Sequence, residues 1–155
     1  MIGEHSPDGL LLHLDAAVAE VFKLMLGMTC LPIHNEPQVG QETIIVIIRF
    51  SGGVTGKCLV YLGLSAARLA MQALLKESGN ICESLVDDAV GELCNMIVGN
   101  WKDRIDPRLA PVIISTPLTL RYRDAVIPTK LSENLQRGYS FQGQDFGVIL
   151  PCRNA

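Results

Sequence analysis

The chain has 155 residues, of which 48% are hydrophobic and 19% are charged, and its net charge is −3. This length suits one domain that buries its own apolar core, so a single domain over residues 1–155 is predicted. The composition excludes a disordered polar tail, and the charge excludes the basic surface that nucleic acids require, so the expected partners are proteins or small molecules.

The ends and special residues of the chain point to no membrane or metal role. MIGEHSPDGL carries acids and no basic stretch before its first apolar run, and the longest aliphatic run, IIVII, is too short to cross a bilayer. A cytoplasmic protein is therefore expected. Five cysteines without a CxxC pair, and three histidines that form no metal-ligand cluster with them, predict neither disulfides nor a metal site. We interpret the cysteines as buried small hydrophobes.

Helical spacing of apolar residues predicts a first helix over 8–27, with Asp8 as its N-cap and Gly27 at its end. MTCLPIHNEPQVGQ, punctuated by prolines and a glycine, is predicted to be a loop. ETIIVIIRF and TGKCLVYLGL flank SGGV, which indicates a β-hairpin. A second helix is predicted over 65–79, from a serine cap to a closing glycine.

The second part of the chain holds a third, longer helix from about Glu83 to Asp103, followed by three strand-like stretches. These stretches are VIISTPLTLRYRD, GYSFQG and DFGVILP, with GQD as a turn. The order of elements predicts an α+β fold, in which a largely antiparallel sheet packs against long amphipathic helices.

Residues 15–27 and 87–99 align without gaps and share Asp, Ala, Val, Glu and Gly at the same offsets. This match predicts a chain of two similar, pseudo-symmetric halves, although a chance match between two amphipathic helices is the alternative. The polar positions differ between the copies: Asp88, Glu92 and Asn95 of the second correspond to Ala16, Glu20 and Lys23 of the first.

The polar residues of the third helix share one face. At about 100° per residue, Asp88, Glu92, Asn95 and Gly99 fall within roughly 60° of one another. Trp101 and the apolar residues of this helix fall on the other side, so the stripe is predicted to face outward and Trp101 to be buried. An ordinary solvated helix face is the alternative. The apolar set consists of Val86, Ala89, Val90, Leu93, Met96 and Ile97.

The spacing of Asp88, Glu92 and Asn95, followed by Pro117 in ISTP, resembles the signature of the CheX, CheC and FliY family of chemotaxis phosphatases. The string AVGELCNMIVGNWK is particularly similar to CheX members. The hairpin around FSGGVTGKCLVYL, the helix SAARLAMQALL, the signature helix and the ISTP strand entry also come in the family's order.

This resemblance implies a CheC-like fold and hydrolysis of the phosphoryl-aspartate on a CheY-like receiver domain of a response regulator. Asn95 would orient the attacking water, and Glu92 would contact the receiver's active-site lysine. Asp88 would support them, while Gly99 and Asn100 would border the partner. The resemblance implies no cofactor on this chain, Mg²⁺ on the receiver, and a homodimer.

The chemistry suits these residue types, because an acyl phosphate is already activated and needs mainly an aligned water. An amide both donates and accepts hydrogen bonds, so Asn95 can fix a water, whereas Lys23 cannot accept. Two alternatives remain: a binding module that holds a receiver without hydrolysis, and an inert structural domain. Gly91 and Gly99 indicate either close packing or a helix end, or else clearance for a partner's backbone.

Overall fold

The computed structural model describes residues 7–76, 82–105, 111–124, 135–150 and 152–154. The helices in these ranges are α1 (Pro7–Val21), which continues as a π-helical turn (Phe22–Leu26), α2 (Leu64–Leu75) and α3 (Glu83–Arg104). The strands are β1 (Leu31–Ile33), β2 (Glu42–Gly52), β3 (Val54–Gly63), β4 (Val112–Ile114), β5 (Leu118–Arg123), β6 (Leu135–Phe141), β7 (Gln144–Leu150) and β8 (Cys152–Asn154). These elements confirm the α+β prediction.

The strands form one antiparallel sheet in the order β1-β6-β7-β3-β2-β4, in which β5 also pairs with β2 and β8 with β3. Two hairpins, β2–β3 and β6–β7, lie side by side at its centre and meet through β3 and β7. Each hairpin carries a shorter strand on its outer side: β1 on β6, and β5 on β2. The order therefore reads the same when the two halves are exchanged, which confirms the predicted pseudo-symmetry.

The apolar faces of the three helices pack on one face of the sheet, through the alternate residues of its central strands. Ile44, Val46 and Ile48 of β2 point into this core because strand side chains alternate between the two faces. Trp101 is fully buried, as predicted, and its indole N–H donates to the carbonyl of Leu10, 3.2 Å away. This bond joins α3 to α1.

Two predicted helix caps are wrong. Helix α1 begins at Pro7, so Asp8 lies in its first turn, where a carboxylate favours the helix dipole. Helix α2 begins at Leu64, whose side chain packs against the core, and Gly63 stands at the cap position that we predicted for Ser65. It ends at Lys76 in a left-handed conformation. The predicted end at Gly79 lies outside the described residues.

The strand predictions needed three corrections. The predicted loop after α1 contains β1, a three-residue edge strand that includes Pro32 and that the proline concealed. VIISTPLTLRYRD is two strands rather than one, because Pro117 has no N–H to continue the ladder. The last hairpin turns at Gln142 and Gly143, one residue earlier than predicted. Gln142 and Gly143 both have positive φ there.

The cysteines are buried at Cys30, Cys58 and Cys94, as predicted, but Cys82 is exposed just before α3. The side chain of Cys152 lies outside the described residues. Burial raises the pKa of Cys30 to about 12, whereas the Ser84 hydroxyl lowers the pKa of the Cys82 thiol. Among the described helices, none has both the length and the apolar character needed to cross a membrane.

Candidate functional site

Helix α3 carries the predicted site, and the rest of the fold holds it with one face free. On one flank, Gly91 lies against the start of β5: a methyl group added there would be 3.2 Å from Thr119 Oγ1 and 3.5 Å from Pro117 Cγ. On its inner side the helix packs onto the core, and on the other flank it contacts α1. The outward face between these contacts holds the predicted stripe.

The stripe of Asp88, Glu92, Asn95 and Gly99 faces outward, as predicted. Asp88 and Glu92 are exposed, and Asn95 and Gly99 are partly exposed. Within the described ranges, the first three side chains have no hydrogen bond and no ion pair. Exposed polar side chains without a partner in the chain are available to another molecule.

Glu92 and Asn95 stand three residues apart on α3, which places their Cβ atoms about 5–6 Å from each other. Between them lie Leu93 and Cys94, both buried, which anchor the backbone of this turn in the core. A carboxylate and an amide are thus presented side by side from a rigid element. Such a pair can hold a cation with one group and a water molecule with the other.

Arginine side chains hold the N-terminal end of α3 to its neighbours. Arg121 of β5 donates from Nε to Asp87 Oδ1 at 2.8 Å and contacts Glu83 Oε2 at 2.9 Å, and its Nη2 donates to the Glu83 carbonyl. Arg68 of α2 donates to the other Glu83 oxygen at 2.7 Å. Hydrogen bonds from Arg68 and Arg121 lower the pKa of the Glu83 carboxyl.

Asn100, predicted to border the partner, uses its amide within the chain. Its Nδ2 donates to Glu20 Oε2 of α1 at 2.9 Å, and its Oδ1 accepts from Arg104 Nε at 2.6 Å. Arg104 also pairs with Glu20 directly. The pKa of the Glu20 carboxyl lies below its ordinary value, mainly because of the hydrogen bond from Asn100 and secondly because of that from Arg104. The amides of α3 therefore differ: that of Asn100 is occupied, and that of Asn95 is free.

The two glycines of the site have different surroundings. Gly91 is buried against β5, which confirms the close-packing interpretation. Gly99 does not end the helix, because α3 continues to Arg104. Nothing lies within 4 Å of the position that a Cβ of Gly99 would occupy, so its missing side chain leaves open space beside the stripe.

Sequence reasoning missed the residues that hold α3 in place: Arg121, Arg104 and Glu20. The internal repeat carried a signal for one of them, Arg121. Asp15 and Asp87 share an offset in the repeat, and each pairs with an arginine of the sheet: Asp87 with Arg121, and Asp15 with Arg137, whose Nη2 is 2.6 Å from Asp15 Oδ2. A shared acid in both copies indicated a shared salt bridge.

Comparison with known proteins then identifies the family. The sequence model described as chemotaxis phosphatase CheX matches residues 44–136, more than half of the chain. The chain belongs to the CheX family of chemotaxis phosphatases. The matched span contains nearly all of the β2–β3 hairpin, then α2, α3 and the start of β6, but not α1. No curated protein matches the sequence.

Solved structures with the same fold include several CheX proteins. CheX from Desulfovibrio desulfuricans is 19% identical, with 93% of this chain and 99% of that chain covered and a TM-score of 0.74. CheX from Borrelia burgdorferi, in a complex with CheY, BeF₃ and Mg²⁺, is 16% identical, with coverages of 94% and 98% and a TM-score of 0.68. The middle domain of FliM from Vibrio alginolyticus is 15% identical, with coverages of 92% and 90% and a TM-score of 0.59.

These structures share the CheX fold, and sequence identities this low support a shared fold but not a shared function. Within the part of the chain that the structure describes, no group of three or more His, Cys, Asp or Glu side chains could hold a metal ion.

Proposed function

We propose that this chain hydrolyses the aspartyl phosphate on a phosphorylated, CheY-like receiver domain. One observation carries the proposal: Glu92 and Asn95 stand next to each other on an exposed helix face, with no partner in the described part of the chain. Membership of the CheX family supports the reaction class, and the Borrelia complex, in which a CheX holds CheY, supports the class of partner.

The division of labour follows from the chemistry of an acyl phosphate. The receiver would supply Mg²⁺ and a lysine, which balance the negative charge on the phosphoryl group, so this chain needs no metal of its own. Asn95 enters the receiver's site, where its carbonyl oxygen accepts a hydrogen bond from a water molecule and its NH₂ donates one to another acceptor, which aligns the water with phosphorus. Glu92 pairs with the receiver's lysine and sets the register of docking.

The other stripe residues are proposed to shape the docking surface. Asp88 supports Glu92 as a second carboxylate one helical turn away. Gly99 leaves room for the receiver's backbone. Asn100 borders this surface while its amide stays bonded to Glu20 and Arg104.

The rate at which a metal-loaded, phosphorylated receiver from the same organism loses phosphate, with and without the chain, tests this proposal. Faster loss supports a phosphatase. If the chain binds the phosphorylated receiver and leaves its decay unchanged, it is a binding module instead. If it neither binds nor accelerates, the stripe is an ordinary solvated helix face.

Replacing Gly99 separates docking from folding. Gly99→Ala is expected to raise the stability of α3 by up to about 1 kcal/mol, because alanine favours a helix and its methyl meets nothing. Gly99→Leu should fold as well, yet weaken receiver binding about tenfold or more by filling the clearance. Thermal unfolding and receiver titrations measure the two effects.

Gly91→Ala is the matched control for this pair of variants, because its methyl would press on Thr119 and Pro117. It should give no gain in stability. Unchanged receiver affinity in Gly99→Leu would show that the space beside Gly99 is not used in docking.

We also infer a homodimer, formed through the edge of the sheet at β4 and β5. Three large apolar side chains are exposed there: Ile113 by 67%, Leu118 by 55% and Tyr122 by 47%. An edge strand with apolar side chains is a template for pairing with another chain. Light scattering after size exclusion at micromolar concentration should give twice the chain mass, and a monomer mass would exclude this dimer.

A further inference from the structure

Helix α3 is tied to its neighbours by polar side chains on both flanks of the stripe. Asn100 lies about 140° around the helix axis from Asn95 in one sense, and Asp87 lies about 80° from it in the other. Asn100 is bonded to Glu20 of α1, and Asp87 is bonded to Arg121 of β5. The two ties therefore pull on the helix from opposite flanks, with the free residues between them.

The core beneath α3 fixes which face of the helix points outward, and directional contacts can refine its rotation by a few degrees. The buried side chains of α3 are mainly aliphatic, and hydrophobic packing has no direction of its own. Hydrogen bonds and bidentate ion pairs, by contrast, weaken when their angles change. Ties of this kind are suited to fixing how far the helix is turned about its own axis.

The angle matters because the chemistry depends on distance. A side-chain atom lies about 5–6 Å from the axis of a helix, so a rotation of about 10° moves it by about 1 Å. A displacement of this size at a reacting centre costs up to about a hundredfold in rate. The position of the Asn95 amide in a bound receiver would thus depend on the rotation of α3.

We propose that Glu20 is a positioning residue, which holds the rotational setting of α3 through Asn100 and Arg104 and so aims Asn95. This inference rests on the proposed phosphatase function. Glu20 lies on α1, outside the span that matches the CheX family, and it corresponds by offset to Glu92 in the first copy of the repeat. Glu20 of the first half thus supports the site that Glu92 and Asn95 form in the second half.

The geometry of the tie supports positioning over bulk stability. One Glu20 oxygen, Oε2, accepts from both Asn100 and Arg104, and Arg104 donates in turn to Asn100 Oδ1. The three side chains thus form a closed ring that joins two helices at one point. The ring is partly exposed to solvent, and ion pairs in contact with water add little to stability, so its loss should change the melting temperature by only about 1–3 °C.

The test is single-turnover loss of phosphate from a metal-loaded phospho-receiver, measured over a range of chain concentrations. Glu20→Ala is expected to lower the maximal rate about tenfold and to change the half-saturating concentration less than twofold. Glu20→Gln, which keeps an acceptor for Asn100, should recover at least a third of the wild-type rate. Asp124→Asn is the control, because Asp124 is an exposed acid whose side chain bonds to no described residue of the site. This variant should leave both parameters unchanged.

A double variant shows whether the effect passes through the ring. If Glu20 acts through Arg104, then Glu20→Ala with Arg104→Ala should lose no more rate than the worse single variant. Losses that multiply would overturn the proposal, as would a Glu20→Ala variant with the full maximal rate. A raised half-saturating concentration at an unchanged maximal rate would also overturn it, because Glu20 would then contact the receiver.

The indole N–H of Trp101 provides a measurement that does not depend on activity. Trp101 is the sole tryptophan of the sequence, follows Asn100 directly and is bonded to Leu10 of α1. Its NMR resonance should shift in Glu20→Ala and stay in place in Asp124→Asn. If the wild-type chain fails to accelerate phosphate loss, the proposed phosphatase function is wrong. An indole resonance that does not move in Glu20→Ala would separately contradict the role of Glu20 in holding α3.

Discussion

Replacing Asn95 with alanine is expected to reduce the loss of phosphate from a phosphorylated receiver to its spontaneous rate. The amide of Asn95 is the free amide that α3 presents beside Glu92, since Asn100 is bonded to Glu20 and Arg104. Alanine can neither donate nor accept, so the water would lose its orientation, a loss of about a hundredfold or more. Phosphate release measured at equal chain concentrations gives this effect.

Receiver binding distinguishes a lost reaction from a lost complex. Asn95→Ala should bind a phosphorylated receiver within about threefold of the wild type, because Glu92 and the rest of the stripe remain. Asn95→Asp, which keeps the shape but replaces the NH₂ donor with an oxygen, should also be inactive. A variant without Asn95 that keeps its full rate would place the reactive group elsewhere on the chain.

Asp15→Ala is expected to lower the free energy of unfolding by about 3 kcal/mol. Asp15 receives two hydrogen bonds from Arg137, at 3.0 and 2.6 Å, and one from the Tyr139 hydroxyl at 2.7 Å. Tyr139 is fully buried, and burial, together with the bond to Asp15, raises the pKa of its hydroxyl. Without Asp15, that hydroxyl and the Arg137 guanidinium lose their shared partner.

Asp87→Ala is the matched control, because Asp87 occupies the same offset in the second copy of the repeat. The side chains of Asp87 and Arg121 are 34% and 37% exposed, against 17% for Asp15. Water can therefore replace much of the hydrogen bonding that Arg121 loses in Asp87→Ala. The expected cost is below about 1 kcal/mol. Urea unfolding measures both variants, and equal losses would contradict the assignment of the difference to burial.

Adding Tyr139→Phe to Asp15→Ala should return about 1 kcal/mol, because the unsatisfied hydroxyl is then removed as well. Receiver binding should be unaffected in both aspartate variants, since neither side chain belongs to the exposed stripe.

The elements that the sequence predicts well are those whose pattern is local. Helix α3 was predicted over its whole length because its apolar residues repeat at helical spacing, and the β2–β3 hairpin because two β-branched runs flank a Gly-Gly pair. The outward direction of Glu92 and Asn95 followed from the same periodicity. Burial of their neighbours Leu93 and Cys94 leaves this turn no other direction.

Features set by long-range contact could not be predicted in this way. The bond between Glu20 and Asn100 joins residues 80 positions apart, and that between Arg121 and Asp87 spans 34. Neither pairing follows from helical or strand periodicity, and Asn100 was predicted to border a partner only because it follows the stripe. Strand β1 was not predicted, because its strand conformation depends on pairing with β6 and not on its own residues.

The π-helical turn at Phe22–Leu26 shows how far the first copy of the repeat has diverged. Lys23, the counterpart of Asn95, lies inside this turn, where the backbone takes about one residue more per turn than in an α-helix. Glu20, just before it, is held by two side chains of α3. The two copies of the repeat thus differ in their main chain as well as in their side chains. Exchanging Lys23 for asparagine would therefore give the first copy the residue of the second without giving it the α-helical geometry of the second.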